Sequence, residues 1–428
     1  MEKALNYYKN NIKAVNEKLK KLEKVLIYFS ILRFIIVILC IGIMYYFYKQ
    51  SSIEAMGASF LVFLLIFIIV AFFHNEKINK KKKLLIILEY NEKGIKRLDN
   101  TWREFKDIGE EFINKKHKFS NDLDIFGKSS LFQWINLTKT SFGRKNLANK
   151  MMMNSLPTRY DIQEEQEAIK ELSNKREFCE KIYFEASIEN KKKENIEELL
   201  KWLDKDEKSN FTIKYISYLF ITITFIMIFL TITRKVSISN LILDLIINYL
   251  VIKLLTKRLS DVISIFINNK KEIYKYSNML SIIQDENFKS KKLLSIQKGL
   301  VSSNINCKNE MKKLKNIISC LGDSTSNAYY LIVNVLFMSD IFILSNLEEW
   351  KVKNGYKVRK WLNDMGEIEA LISLSTIAFE HDEWTYPTIS GVNEIEAIEL
   401  AHPLLGEKAK SNNFTLKGSE KVVLITGS

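Results

Sequence analysis

Proline is nearly absent from this 428-residue chain, with 3 residues, and glycine is sparse, with 14. So few backbone breakers leave little room for an all-β, turn-rich architecture and favour long helices. Cysteine is also scarce. The four residues, Cys40, Cys179, Cys307 and Cys320, are scattered and form no Cys-x-x-Cys pair, which argues against a zinc site and a disulfide framework. The four histidines, His74, His117, His381 and His402, do not cluster either. No His, Cys and Asp group has ligand spacing, and no nucleophile has a visible base partner. Arginine is scarce beside lysine, whereas direct readers of nucleic-acid bases lean on the planar arginine fork.

What is abundant is apolar residues, at 47 %, and positive charge, a formal +14 from 64 Lys+Arg against 50 Asp+Glu. A basic surface suits DNA, RNA or anionic lipid. The apolar residues are gathered into runs. Val25 to Tyr48 carries Arg33 as its only charge, and after a short link, Lys49 to Glu54, Met56 to Phe73 is apolar again. Each run can cross the roughly 30 Å of bilayer hydrocarbon, which takes about 20 helical residues. A cleaved signal peptide would be shorter and would lack the second run. The flanks carry Lys18, Lys20, Lys21 and Lys24 before, and Lys77 and Lys80 to Lys83 after, so the positive-inside rule puts both flanks and the termini in the cytoplasm. Arg33 can snorkel if the span starts near Ser30. Leu5, Val15, Leu19 and Leu22 give the preceding segment one apolar face, and residues 84–120 read as an amphipathic helix returning to the cytosol.

A second apolar hairpin is expected over Phe211 to Thr233 and Val236 to Ile252, around Arg234-Lys235. It is less clean, because Asp244 falls inside it. A mid-membrane carboxylate costs about 2.5–3.5 kcal/mol on insertion scales, so Asp244 should pair, neutralise or sit shallow. A pair with Arg33 is one option, and a shallow position near the outer surface is the simpler one. Leu331 to Leu344, which contains Asn334 and Asp340, reads as a buried core helix. Residues 257–318 read as long charged helix with Ile263, Phe266, Ile273, Leu280, Leu293 and Leu294 inward.

Between the hairpins, Asp122-Leu-Asp-Ile-Phe-Gly-Lys-Ser-Ser leads through Leu131-Phe-Gln-Trp-Ile-Asn-Leu-Thr into Lys139-Thr-Ser-Phe-Gly-Arg. This reads as helix, turn, helix. Thr140 or Ser141 can cap the second helix and Gly143 permits close packing near its start. Pro157 ends it, and Thr158-x-x-Asp161 has the form of a capping box for the next helix. Ile162, Ile169 and Leu172 face inward there, while Glu164, Glu165, Glu167, Lys170 and Glu171 form a solvated face. At the far end, Val422-Val-Leu-Ile-Thr-Gly-Ser is a strand-like run ending on a glycine and a serine, as a buried parallel strand does before a phosphate-binding loop.

The blocks Phe126-Gly-Lys-Ser-Ser-Leu-Phe, Asn136-Leu-Thr-Lys-Thr-Ser-Phe-Gly-Arg, Pro157 and Gln166-Glu-Ala-Ile-Lys-Glu-Leu resemble the helical core of the MutS family. Glu367-Ile-Glu-Ala-Leu-Ile-Ser-Leu, Trp384-Thr-Tyr-Pro, Ala401-His-Pro-Leu-Leu, Asn412-Asn-Phe-Thr-Leu and Val422-Val-Leu-Ile-Thr-Gly resemble its passage into an ABC-type ATPase. The resemblance covers roughly residues 120–428 apart from the second hairpin. It departs from the family in the first 120 residues, where the mismatch-reading domain should stand, so mismatch recognition does not carry over.

The expected fold is mainly α: two transmembrane helical hairpins and a MutS-like helical core, with the beginning of an α/β ABC-type ATPase domain at the C-terminus. The expected domains are 1–120 (basic helices with spans at about 25–48 and 56–73), 121–210 (first part of the core) and 211–256 (second hairpin). Then come 257–385 (second part of the core) and 386–428 (start of the ATPase). The resemblance implies a P-loop beginning at Gly427, with Thr426, Gly427 and Ser428 as nucleotide-binding residues. Its lysine would follow, so the expectation is that the protein continues past Ser428 or is a truncated product. ATP and magnesium are the cofactors implied, and a homodimer through the ATPase domain and the membrane are the partners implied. DNA is open. The alternatives are a membrane scaffold with a lost or vestigial ATPase and a membrane-held nonspecific DNA-binding module. His402, before Pro403, reads as a nucleotide-pocket or a strand-edge structural histidine. His381 with Asp382 and Glu383 reads as a metal group or a solvated turn. Trp134, Trp361 and Trp384 read as core or interface anchors.

Overall fold

The computed structural model describes residues 1–188, 196–205, 212–256, 260–302, 305–319, 321, 328–391, 393–418 and 423. The fold is mainly helical. In chain order the elements are α1 (Glu2–Lys49), α2 (Ile53–Leu98), α3 (Leu131–Ile135), α4 (Ser141–Met152), α5 (Arg159–Asn174), α6 (Arg176–Ala186), α7 (Ile196–Asp204), α8 (Thr212–Ile232) and α9 (Ile238–Thr256). They continue as α10 (Ser260–Asp285), α11 (Lys291–Gly299), β1 (Val301–Ser302), β2 (Ile305–Asn306), α12 (Cys307–Ser319), α13 (Ala328–Phe337), α14 (Ser339–Glu380), β3 (Ile395–Leu400) and β4 (Asn412–Leu416). The chain divides into two compact units. One is Met1–Asn136, Met151–Ser155 and Ser373–Ser428; the other is Leu137–Lys150 and Leu156–Ile372.

The first unit is built on the α1–α2 hairpin. Its helices have 48 and 46 residues, each about 70 Å long at 1.5 Å per residue. In each, the charged segment and the apolar run are one continuous helix, because neither proline nor glycine interrupts the junction. Ala4, Tyr8, Val15, Leu19 and Leu22 are buried along one stripe of α1. Leu5, expected on that stripe, is only half-buried. The apolar runs behave differently: their most apolar 18-residue windows are 6 % and 0 % buried, with mean hydropathy of 2.7 and 2.9. Ile27, Phe34, Ile41, Leu61, Leu65 and Phe72 all face outward. Both helices are long and apolar enough to cross a membrane. A helix apolar on every face belongs in a protein core or in hydrocarbon, and these windows are not in the core. This is a membrane protein.

Residues 84–120 do not form one returning helix. α2 ends at Leu98, and the chain then folds into a compact loop with 3-10 turns at Trp102–Glu104 and Glu110–Phe112. Asn100, in the left-handed region at φ 58°, turns the chain there. The loop is held by aromatic packing of Phe112, Phe126 and Phe132, with ring centres 5.6–5.7 Å apart. The Gln133 side chain donates to the carbonyls of Arg103 and Phe105 and accepts from Ser129 N–H. Such specific side-chain bonds leave no trace in helical periodicity.

The second unit packs α5, α6, α7, α10, α11, α12 and the first part of α14 around a core that includes Phe178, Trp202, Phe266, Ile273, Leu280, Leu314, Trp350 and Ile368. Within 257–318 the described residues form α10, α11, a short antiparallel β1–β2 pair and α12, in keeping with the helical pattern expected there. The inward positions expected there hold: Phe266, Ile273, Leu280 and Leu293 are buried, and Ile263 and Leu294 pack at the margin. Thr158 and Asp161 form the expected capping box on α5. Leu172 is buried as expected, Ile169 packs at the margin of the core and Ala168 completes the inward stripe.

Leu331 to Leu344 is not a buried core helix. It is broken at Met338, which has φ 47°, into α13 and the start of α14, bent 75° apart. α8 and α9 do form the second hairpin, turning at Arg234 with φ 57°. Phe211 lies outside the described residues, and the apolar stretch of α8, Ser217–Ile232, is shorter than the N-terminal runs.

The tightest crossing in this unit is α4 on α14. A Cβ on Gly366 would come within 2.6 Å of the Phe142 carbonyl carbon and 2.8 Å of Gly143 N. Both are backbone atoms, so neither can swing aside. Gly366→Ala is therefore expected to destabilise the protein by about 1–3 kcal/mol, the usual range for overpacking, read as a lower thermal midpoint in detergent. Gly42→Ala, where a Cβ would meet nothing within 4 Å, is expected to leave that midpoint unchanged.

Candidate functional site

The expected nucleotide-binding residues Thr426, Gly427 and Ser428 lie outside the described residues, as does most of the Val422-to-Ser428 run. What is described ahead of them is an antiparallel hairpin. β3 pairs with β4 in the register Ile395↔Leu416, Glu396↔Thr415 and Ala397↔Phe414, then slips by a bulge before Leu400↔Asn412. The bulge is set by Glu399, at φ 54°, whose N–H donates to Asn413 Oδ1 at 2.9 Å. Between the strands, His402 caps the 3-10 turn Pro403–Lys408: its Nδ1 accepts from Leu404 N–H at 3.3 Å. Arg103 ties the turn down by donating to the Leu404 carbonyl at 2.9 Å.

His381 is likewise used for packing. It stacks on Trp384 with ring centres 4.1 Å apart, and Trp134 lies 6.0 Å away. Asp382 accepts from the Met1 ammonium at 2.8 Å, which holds its carboxyl below the usual range. Among the described residues, no group of three His, Cys, Asp or Glu side chains could hold a metal ion. Trp361 is buried in the core of the second unit, the anchor role expected of it.

Among the described residues, three of the sets of charged groups that are brought together bear on the blocks and spans singled out above, beside others such as the buried Lys275–Glu272 pair and the Glu310 cluster with Lys313 and Lys353. In the first unit, Arg97 and Glu380 form a buried bidentate pair at 2.6–2.9 Å, and the Tyr8 hydroxyl donates to Glu380 at 2.8 Å. Tyr8 fits because Gly94 stands opposite: a Cβ there would lie 2.4 Å from the tyrosine ring. Burial works against the Arg97 charge, and Glu380 more than offsets it, so the guanidinium stays protonated. The planar fork matched to a carboxylate is the geometry that makes such a pair tolerable inside a protein.

In the second unit, Glu369 of α14 is buried beneath the start of α4. It accepts from Lys139 N–H at 2.9 Å and Thr140 N–H at 3.3 Å, and the Thr140 hydroxyl donates to it through a short hydrogen bond. Thr140 Oγ1 in turn accepts from Gly143 N–H at 3.0 Å and caps α4, as its position in the sequence implies. A carboxylate at the positive end of a helix is favourable, yet burial prevails and raises the Glu369 pKa. Two residues away, Glu367 pairs with Lys150 at 2.8 Å and Lys292 at 3.3 Å. Burial pushes its pKa up, but the two lysines outweigh that and hold it below the usual range. Lys150 also pairs with Glu165, one of the acidic residues assigned to a solvated face, which is therefore part of a packed ion cluster.

The third set is membrane-type. Arg33 Nη1 lies 3.3 Å from His74 Nδ1 and its guanidinium sits 4.9 Å from the Phe67 ring centre. Asp244 is buried and accepts from the Thr224 hydroxyl at 2.8 Å. Of the options open to Asp244, the structure therefore supplies a hydrogen-bonded partner within its own hairpin. The buried glutamates and arginine were missed by sequence reasoning, because single charges inside amphipathic helices look like solvated faces. The one available signal was Glu369 lying within an otherwise apolar stretch, Ile368 to Ile372.

Compared with known proteins, the chain matches no family model, no curated protein and no solved structure.

Two outcomes are expected of these charges. Glu380→Gln leaves Arg97 as a buried unpaired charge and is expected to cost about 3–5 kcal/mol, while the double replacement Arg97→Met with Glu380→Leu costs much less. Thermal midpoints of the two variants against the unaltered chain check this. The two α14 glutamates should have opposite pH signs. Glu367, with a depressed folded pKa, stabilises fully above its ordinary value of 4.5 and loses that contribution as pH falls through the lower folded value. Glu369, with a raised folded pKa, contributes most below 4.5 and loses that as pH rises through the higher folded value. The destabilisation by Glu367→Gln should therefore shrink in acid, and that by Glu369→Gln should shrink toward neutral pH, both read from denaturation series between about pH 3 and 8.

Proposed function

We propose that this chain is the membrane and helical-core portion of a MutS-like, ATP-dependent protein, anchored in the inner or plasma membrane with its termini and core in the cytoplasm. ATP with magnesium binds through a P-loop that begins at Gly427, and nucleotide binding pairs two ATPase domains in a homodimer. The α8–α9 hairpin is a second membrane anchor. DNA is a candidate ligand of the basic surface.

The observation that carries this reading is the Glu369 lock. Two of the blocks behind the resemblance, Lys139-Thr-Ser-Phe-Gly-Arg and Glu367-Ile-Glu-Ala-Leu-Ile-Ser-Leu, stand about 230 residues apart in sequence. They meet through the hydrogen bonds of Lys139 and Thr140 to Glu369 and through the Gly143–Gly366 crossing. Co-occurring motifs that meet in space are better support than motifs that merely share an order. The two long apolar helices support the membrane anchor. The β3–β4 hairpin, with His402-Pro403 at its turn, supports a β-layer ahead of the phosphate loop.

Phosphate contacts dominate nucleotide binding, and a P-loop needs the lysine that follows its second glycine. The test measures Mg·ATP binding, hydrolysis and dimerisation by the native gene product that contains these residues, beside its Gly427→Val variant. The unaltered protein is expected to bind, hydrolyse and dimerise, and the variant to lose all three, because a side chain at that glycine blocks the approach of the backbone to phosphate. Failure of the unaltered protein to bind Mg·ATP defeats the proposal. For DNA, affinity that falls steeply with salt and rises for a branched or mismatched duplex indicates a specific ligand; equal affinity for heparin leaves charge alone.

A further inference from the structure

We propose that the broken α13–α14 corner is a re-entrant membrane segment, docked on the α8–α9 hairpin with its apolar face against the hydrocarbon of the bilayer. This rests on the reading of α8–α9 as a membrane hairpin and adds a third element to it.

The first argument is an inversion of polarity. In a water-soluble bundle, apolar side chains face in and polar ones face out. Here the buried positions of α8 and α9 include Ser217, Thr224, Asp244 and Asn248, while Leu219, Phe225, Phe229, Ile242, Ile246 and Leu250 face outward. α13 follows the same rule. Asn334 is buried, whereas Leu331 and Ile332 are 50 % and 58 % exposed. An apolar outer surface over a polar interior is what a hydrocarbon solvent selects, and no aqueous surface stabilises it.

The second argument is the fate of the freed backbone. Breaking a helix at Met338 strips carbonyls in the preceding turn of their partners, and in hydrocarbon each unsatisfied group costs several kcal/mol. The structure re-satisfies this corner with side chains. Asn248 of α9 donates to the Val335 carbonyl at 3.3 Å, and to Thr224 Oγ1 at 2.7 Å. Asn334 Oδ1 accepts from Asp340 N–H at 3.0 Å and from the Ser339 hydroxyl at 3.1 Å, and Asn334 Nδ2 donates to Asp340 Oδ2 at 2.6 Å. Thr224 then passes the network on to Asp244. Polar groups at a break tied to each other and to a neighbouring helix are the condition for non-helical backbone at membrane depth.

The third argument is placement along α8. Lys214 reaches Asn346, Tyr218 packs on Phe342 with ring centres 5.0 Å apart, and Phe225 packs on Phe337 at 5.9 Å. Following the chain backward from α14 into α13 therefore moves it from the charged end of α8 toward its apolar middle. α14 continues into the core of the second unit, whose members include Leu344, Leu347 and Trp350. Leu321, ahead of α13, belongs to the same core. The segment thus starts from the soluble core and returns to it, which is the path of a re-entrant element. With 10 residues, about 15 Å long, α13 is too short to span.

The experiment uses the full chain with its four cysteines replaced by alanine, carrying single cysteines labelled with an environment-sensitive fluorophore and reconstituted into phosphatidylcholine–phosphatidylglycerol vesicles. Labels are placed at Ile332, at Ile246 on α9 and at Phe34 on the first hairpin, and quenched either by brominated lipid or by aqueous iodide. The Ile332 label is expected to be quenched by brominated lipid to within about twofold of the Ile246 label and to be shielded from iodide. Adding Asn248→Leu is expected to raise iodide quenching at Ile332 severalfold while leaving Phe34 unchanged. If Ile332 is quenched by iodide while Ile246 is quenched by lipid, the re-entrant segment is refuted and the second hairpin stands. If Ile246 is also quenched by iodide while Phe34 is quenched by lipid, both the segment and the second hairpin are refuted.

Discussion

Apolar surface that no protein layer covers needs hydrocarbon around it, and that constraint shapes this chain. Val25 to Tyr48 and Met56 to Phe73 turn isoleucine, leucine and phenylalanine outward wherever the two helices do not face each other. Burying such a surface in water would require a partner layer on each face, whereas a bilayer supplies it at once. The rest of α1 and α2 follows from this anchorage. Their charged ends extend the same helices as a two-helix arm, with a single inward stripe from Ala4 to Leu22.

Away from the apolar runs, the specific structure is held by charges that have been removed from water. Arg97 with Glu380 and Tyr8 closes the base of the α1–α2 arm on the end of α14. Glu369 locks α4 across α14 in the second unit, with Glu367, Lys150 and Lys292 beside it. Each group is expensive to bury and costly to leave unpaired, so a displaced helix is penalised twice.

The apolar hairpins were legible in the sequence because hydropathy is summed over about twenty residues and tolerates single exceptions. The capping box at Thr158 and Asp161, the Thr140 cap and the tight packing at Gly143 were legible because each is local chemistry within a few residues. Three features were not. The end of α2 at Leu98 is followed by Asn100 in the left-handed region, and the loop beyond it is packed by Phe112, Phe126 and Phe132, contacts that no helical period encodes. The break at Met338 occurs in a run with no proline or glycine, and its bend is stabilised by Asn334, Asn248 and Asp340 acting across helices. The role of Asp244 depends on a threonine 20 residues earlier on the facing helix.

Helical character, two membrane-length apolar runs and several helix caps could be read from the residues alone. These are properties of composition and of neighbours within one or two turns, which the chain has before it folds. Which of the many charges are buried, where a continuous apolar run bends and which distant blocks touch became visible only in the folded chain. Those outcomes are set by partners that sequence spacing does not specify: a carboxylate is surface or keystone according to what packs over it, and that is known only once the helices have crossed.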